Sequence, residues 1–271
     1  MTLHSFFDFP GYFTKTGAAS EEIKCKMIHT PDTKPGSGVL VWMNALTDQL
    51  EALADPLRAP EQKRYLKSPY KFYGIRKPLI DNIAVTFVRQ NQKIEPEDMH
   101  VLCTILWNAP FHEQKSLAIS LLQHFNQKWD ASTIDMVDRM IDQVTGWDHL
   151  DELSIHVLGP LVHGGNAPIA YLRSCSDSEN FWKRRASLIA QITFLRKGTG
   201  DIDLHLELCR KHIGEKEFFI RKAIGWSLRE LGKTRPELVY DFLNTYRNDV
   251  SGLTFREASR NLPADMKKGL R

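Results

Sequence analysis

The strongest constraint on this 271-residue chain is a recurrence of helical segments at nearly fixed spacing. Aligning Ile75-Arg76-Lys77-Pro78-Leu79-Ile80, Glu113-Gln114-Lys115-Ser116-Leu117-Ala118, Lys183-Arg184-Arg185-Ala186-Ser187-Leu188, Ile220-Arg221-Lys222-Ala223-Ile224-Gly225 and Phe255-Arg256-Glu257-Ala258-Ser259-Arg260 makes Lys77, Lys115, Arg185, Lys222 and Glu257 equivalent. Their separations are 38, 70, 37 and 35 residues, and 70 is two periods, so the absent point falls at Leu150. A unit of this length is a helix pair that cannot bury its apolar face alone, and stacked pairs make a solenoid with one continuous core. The register further predicts that Trp147 to Asp151, Arg185 and Lys222 to Trp226 lie along one surface of the superhelix.

Shorter-range patterning agrees. Val41, Met43 or Ala45, Leu46, Leu50 and Leu53 approximate one helical stripe, and stripes recur through Ile80 to Val88, Val101 to Leu106, Leu117 to Phe125 and Ile134 to Val144. Two-residue alternation is almost absent, so residues 39 to 271 read as an all-α body. Residues 1 to 38 read as an irregular N-terminal extension, broken by Pro10-Gly11, Pro31-Asp32 and Pro35-Gly36-Ser37-Gly38. Phe6, Phe7, Phe9, Tyr12 and Phe13 predict that part of it docks on the body. The chain does not open with a basic start and a sustained apolar stretch, and it has no run of about eighteen apolar residues, so no signal segment or membrane span is predicted. Cys25, Cys103, Cys175 and Cys209 are far apart with no C-x-x-C, a usage that fits reduced thiols in the cytoplasm and neither a disulfide framework nor a zinc site.

The net charge of +3 hides an asymmetry. Residues 1 to 180 hold 17 Lys/Arg against 22 Asp/Glu, whereas residues 181 to 271 hold 19 against 11. A basic C-terminal third favours polyanions, phosphate backbones above all, although such a segment is also often a solvated face.

One stretch combines an aromatic and an acid behind a glycine hinge: Thr145-Gly146-Trp147-Asp148-His149-Leu150-Asp151. On a helix Trp147 and Asp151 share a face, one turn apart. Asp148 and Asp151 equally fit ordinary helix N-terminal acids, placed well on the helix dipole. Further on, Ile220, Ile224, Leu228 and Leu231 form a core stripe, and Trp226 lies about 200° around from Ile224 at about 100° per residue. That places it with Phe219, Lys222 and Arg229 on an outward face suited to stacking on nucleic acid, or else packed on the next repeat. Trp182 and Arg185 share a face after a Ser176-x-x-Glu179 capping signal. Other signatures fail. Gly232-Lys233-Thr234 follows a helix instead of opening one, His112-Glu113 lacks a metalloprotease's second histidine, the histidines form no cluster in sequence, and Gly164-Gly165 reads as a turn.

The segment Lys216-Glu217-Phe218-Phe219-Ile220-Arg221-Lys222-Ala223-Ile224-Gly225-Trp226-Ser227-Leu228-Arg229-Glu230, with Lys233-Thr234 and Pro236 after it, resembles the signature of the AlkD-type DNA alkylation-repair glycosylases. The resemblance extends through Arg64-Tyr65-Leu66-Lys67, Phe72-Tyr73-Gly74-Ile75-Arg76-Lys77-Pro78, Thr145 to Asp151, Trp182 to Ala186 and Arg256-Glu257-Ala258, covering about residues 40 to 262 in order. It implies a right-handed solenoid of HEAT-like repeats from residue 39 onward. It also implies hydrolysis of the N-glycosidic bond of cationic N3- or N7-alkylated purines in double-stranded DNA, with the base left stacked. Trp147, Trp226 and Asp151 match the residues that line the family's site, and Arg185 matches one that contacts the backbone at the lesion. Lys222, Arg229 and Lys233 are the further candidate DNA contacts. The chain departs from the family in its long leader and in Gly146, where an additional tryptophan can stand.

These residue types suit that chemistry. A cationic purine needs no general acid to leave, unlike an ordinary sugar leaving group. Positive charge develops on the deoxyribose, where an anionic Asp151 can stabilise it and orient water. Each tryptophan face adds an attraction of roughly 0.5 to 2 kcal/mol. The mechanism calls for no metal, no organic cofactor and no obligate protein partner. The alternative is a non-enzymatic HEAT-like module that binds DNA structure or a protein.

Overall fold

Prolines and caps cut the apolar stripes into short helices. The computed structural model describes residues 37 to 270. Within them run α1 (Ser37–Ala52), α2 (Ala59–Leu66), α3 (Lys77–Gln90), α4 (Pro96–Asn108), α5 (His112–His124), α6 (Ala131–Gln143), α7 (Trp147–Leu153) and α8 (Gly159–His163). There follow α9 (Ala170–Asp177), α10 (Phe181–Ile189), α11 (Ile192–Lys197), α12 (Ile202–Lys211), α13 (Phe218–Leu231), α14 (Pro236–Thr245), α15 (Gly252–Ser259) and α16 (Ala264–Gly269). Pro60, Pro78, Pro96 and Pro236 stand in the first turns of α2, α3, α4 and α14, where the missing N–H costs nothing. Asp130, Asn180, Asp201 and Ser251 cap α6, α10, α12 and α15 by accepting backbone N–H bonds. The cap of α10 is therefore Asn180; Ser176, which the sequence offered as a capping signal, is buried and bonded to His212. Among the described residues there is no strand, only an isolated bridge between Lys71 and Phe111.

The helices form two layers. In one, α3, α5, α7, α10, α13 and α15 pack each on the next; α4, α9, α12 and α14 pack behind them. The six register points Lys77, Lys115, Leu150, Arg185, Lys222 and Glu257 fall one in each helix of the first layer. Side-chain bonds between neighbouring units repeat the period: Arg185 to Asp151 spans 34 residues, Lys222 to Glu257 35, Trp107 to Gln143 36 and Ser176 to His212 36. One expectation fails. Lys115, Leu150 and Arg185 are 4, 0 and 1% exposed, so the equivalent points lie mostly inside the layer and not along one open surface. A helix flanked by two neighbours and backed by a third has few solvent directions left. The first stripe is narrower than its sequence suggests: in α1 Leu46 and Leu50 are buried, but Val41 is exposed, as is Leu53 just beyond the helix.

No helix among the described residues is long and apolar enough to cross a membrane. Cys103, Cys175 and Cys209 are buried free thiols. The extension assigned to residues 1 to 38, its proposed docking and Cys25 lie outside the described residues, except that Ser37 and Gly38 already belong to α1.

Candidate active site

The centre of the first layer is a helical run from Trp147 to His163. It begins as α7, passes through a π-helical turn at Ser154–Leu158 and continues as α8. Gly146 is its N-cap and offers no side chain to the orphan amides. Asp148 lies within the first turn, where its anion suits the helix dipole.

Asp151 is 7% exposed and held on both oxygens. The Nε and Nη2 of Arg185 donate to Oδ1 at 2.8 Å and Oδ2 at 2.7 Å, and Nη1 donates to the Phe219 carbonyl of α13 at 2.6 Å. One guanidinium thus joins α7, α10 and α13. Burial pushes the Asp151 carboxyl above the usual carboxylate range, and the Arg185 guanidinium pulls against that shift. Both Asp151 oxygens accept from a guanidinium that stays charged, so the pair holds the residue as a carboxylate. Arg185 itself is 1% exposed, so it does not present its guanidinium to a DNA backbone as the resemblance implied. Its donors go to the Asp151 carboxylate and the Phe219 carbonyl.

Trp147, one turn before Asp151, is half-buried and meets Tyr65 of α2 edge-to-face, ring centres 6.4 Å apart at 83°. Tyr65 is 53% exposed, so this aromatic pair reaches solvent. Trp226 lies two turns beyond Phe219 on α13 and is only 7% exposed. The outward face read from the helical wheel is therefore covered, because α13 is flanked by α10 and α15. Gly225, beside Trp226, permits the approach of α15: a Cβ there would come within 2.5 Å of the Glu257 Cβ.

The three remaining candidates are paired. Lys222 donates to Glu257 at 2.6 Å, Arg229 donates to the same carboxylate, and Lys233 donates to Glu230 at 2.6 Å, an oxygen that Arg196 also reaches at 2.6 Å. Burial opposes ionisation of Glu257, but Lys222 and Arg229 outweigh it and hold its carboxyl below the usual range. Four cations here share two carboxylates.

Other polar groups escaped the sequence. Glu113, 1% exposed, accepts the N–H groups of Tyr73, Gly74 and Ile75 at 3.0, 2.8 and 3.2 Å, pinning the loop that launches α3. Lys77 links Asp81 at 2.5 Å with Glu152 at 3.3 Å. Burial pushes the Glu152 carboxyl up to about 7 despite Lys77. The histidines, unclustered in sequence, do meet in space: His112 and His149 stack with ring centres 4.1 Å apart, beside Asp148. The available signal was the repeat itself, since residues one period apart on adjacent first-layer helices become neighbours.

A groove between α12 and α14, of about 740 Å³ and lined by Asp201, Glu207, Arg210, Asp241 and Tyr246 among others, belongs to the second layer and not to this site.

The chain is similar in family and fold to known proteins. The model of the DNA alkylation repair enzyme family matches residues 46–262. A protein from Enterococcus faecalis described as a predicted DNA alkylation repair enzyme is 25% identical, with a TM-score of 0.69 over 78% of this chain and 97% of its own. AlkD2 from Streptococcus mutans is 13% identical, with a TM-score of 0.60 over 83% of this chain and 100% of its own. The smu.31 protein of Streptococcus mutans UA159 is 14% identical, with a TM-score of 0.51 over 69% of this chain and 99% of its own. The last two likenesses concern the fold alone. No curated protein matches the chain in sequence. With its family match running from the first to the last repeat of the two-layer body, the chain belongs to the DNA alkylation repair enzyme family.

Proposed function

We propose that this protein is a monofunctional DNA glycosylase that hydrolyses the N-glycosidic bond of cationic N3- or N7-alkylated purines in double-stranded DNA, working as one domain from residue 39 to 271 in the cytoplasm. The observation that carries the reading is the Asp151 carboxylate, fixed on both oxygens by Arg185 one helical turn from the half-exposed Trp147. An anion whose orientation is set before substrate arrives stabilises the positive charge that develops on the sugar without reorganising during the reaction. The lone pairs that Arg185 leaves free on the Asp151 oxygens orient the attacking water. Trp147 offers the sugar an aromatic face, Trp226 meets it only through the 7% of its surface that stays exposed, and the base stays in the stack. Lys222, Arg229 and Lys233 reach phosphate by exchanging Glu257 and Glu230 for the DNA backbone. Arg185 is a positioning residue.

A second reading, a DNA-binding module without turnover, is favoured by one fact: Asp151 already has a fully matched cation. Release of free base from duplex DNA containing 7-methylguanine separates the two. Asp151→Asn is expected to lower the release rate about 10²- to 10³-fold with DNA binding retained. Wild-type release equal to the no-enzyme control would leave only the binding module.

A further inference from the structure

One side chain of α5 and two adjacent ones of α7 meet where these helices begin. His112 opens α5, Asp148 and His149 lie in the first turn of α7, and one donor atom from each falls within 4.8 Å of the other two. We propose that His112, Asp148 and His149 bind a divalent transition-metal ion, with zinc the best match to this donor set. The proposal is independent of the glycosylase reading.

Distances support it first. His112 Nε2 and Asp148 Oδ2 are 3.3 Å apart, beyond the ordinary range of an N–H···O bond. Two donors each 2.0 to 2.1 Å from a tetrahedral ion stand about 3.3 Å from one another. The other ring nitrogen of His112, Nδ1, is buried with no partner. Hydrogen bonding therefore does not account for where this ring sits. Stacking does: Phe72 lies 4.5 Å from it at 14°, and His149 stacks on it too.

His149 is oriented as metal-binding histidines are. Its Nε2 is 3.2 Å from the His112 carbonyl, which can only accept, and 3.2 Å from the Ser116 hydroxyl, which can accept as well as donate, so a proton on Nε2 satisfies both contacts and leaves Nδ1 its lone pair. A ligating imidazole whose other nitrogen donates to a backbone carbonyl has its tautomer and ring direction fixed in advance. Lys115, the ammonium that bears on both rings, is drawn to the Trp107 carbonyl and to the Tyr70 ring at 4.4 Å. Three protein ligands leave a position for water, and the His112 and Asp148 side chains keep 12 and 19% of their surface exposed, which gives an ion a way in.

The test uses the full chain, stripped with chelator and titrated with Zn²⁺ by calorimetry and with Co²⁺ by visible absorption. One saturable equivalent is expected, with the intense d–d band of four- or five-coordinate cobalt. Affinity should fall at least about tenfold in His112→Gln and in Asp148→Asn, each verified as folded by circular dichroism. Equal affinity in the variants would overturn the site, as would a weak octahedral cobalt spectrum in the wild type. That spectrum decides the matter even if a variant fails to fold.

Discussion

Arg185 spends three nitrogens on two acceptors, the Asp151 carboxylate and the Phe219 carbonyl, in a setting where only 2% of its side chain meets solvent. Removing it strands a buried carboxylate, so Arg185→Met should cost about 3 to 5 kcal/mol in denaturant unfolding. Arg185→Lys should recover part of that stability, because an ammonium restores the charge but cannot match both oxygens and the carbonyl in one plane. Glu152 makes a second prediction. Its carboxyl titrates at about 7 in the folded protein against 4.5 ordinarily, so the folded state binds more protons between those values and stability falls as pH rises through that window. Glu152→Gln removes the effect. Its melting temperature should gain on the wild type from about pH 5 to about pH 8, and a pH-independent difference would show that burial does not shift Glu152. At this scale the sequence marked Trp147, Asp151, Arg185 and Trp226 as site residues, but it could not show that Arg185 turns inward. Burial depends on how many helices surround a position, and a helical wheel knows only one helix.

The helix that carries Asp151 depends on a glycine beyond the π-turn. A Cβ at Gly159 would stand 1.9 Å from the Ala190 carbonyl oxygen, where the run after α7 meets the end of α10. Gly159→Ala should therefore destabilise the protein by about 1 to 3 kcal/mol, despite alanine's better helix propensity. Gly214→Ala, where a Cβ meets nothing within 4 Å, is the control and should change little. Helix existence was legible, since Ile220, Ile224, Leu228 and Leu231 are each fully buried as their spacing required. The π-turn was not, because Ser154 to Leu158 has the same apolar content as any core helix and no composition distinguishes five residues wound one step wider. The cap of α10 was misplaced for a related reason. Ser176 and Asn180 both have side chains able to cap, and only the position of the preceding helix α9 decides between them.

Across the whole molecule, a period of 35 to 38 residues became a two-layer stack in which each first-layer helix bonds to the next. The repeat was legible because every unit must bury the same face. The use of charge was not: the C-terminal third carries an excess of eight cations, yet Lys222, Arg229, Lys233 and Arg196 all converge on Glu257 and Glu230. Pairs formed between helices some 28 to 35 residues apart are invisible to a count along the chain. The same stacking brings His112 to Asp148 and leaves Asp151 as the oriented anion beside Trp147. An anion that acts by stabilising charge on the sugar supplies no proton to the leaving base, so the bases released fastest are those that are already cationic. The decisive measurement is single-turnover base release from duplexes that differ in one lesion: a cationic N7- or N3-methylpurine, or an uncharged adduct of similar size. Release of the cationic bases alone, slowed about 10²- to 10³-fold in Asp151→Asn, is the expected result. Equal release of charged and uncharged adducts, or no release of either, would contradict the role assigned to Asp151.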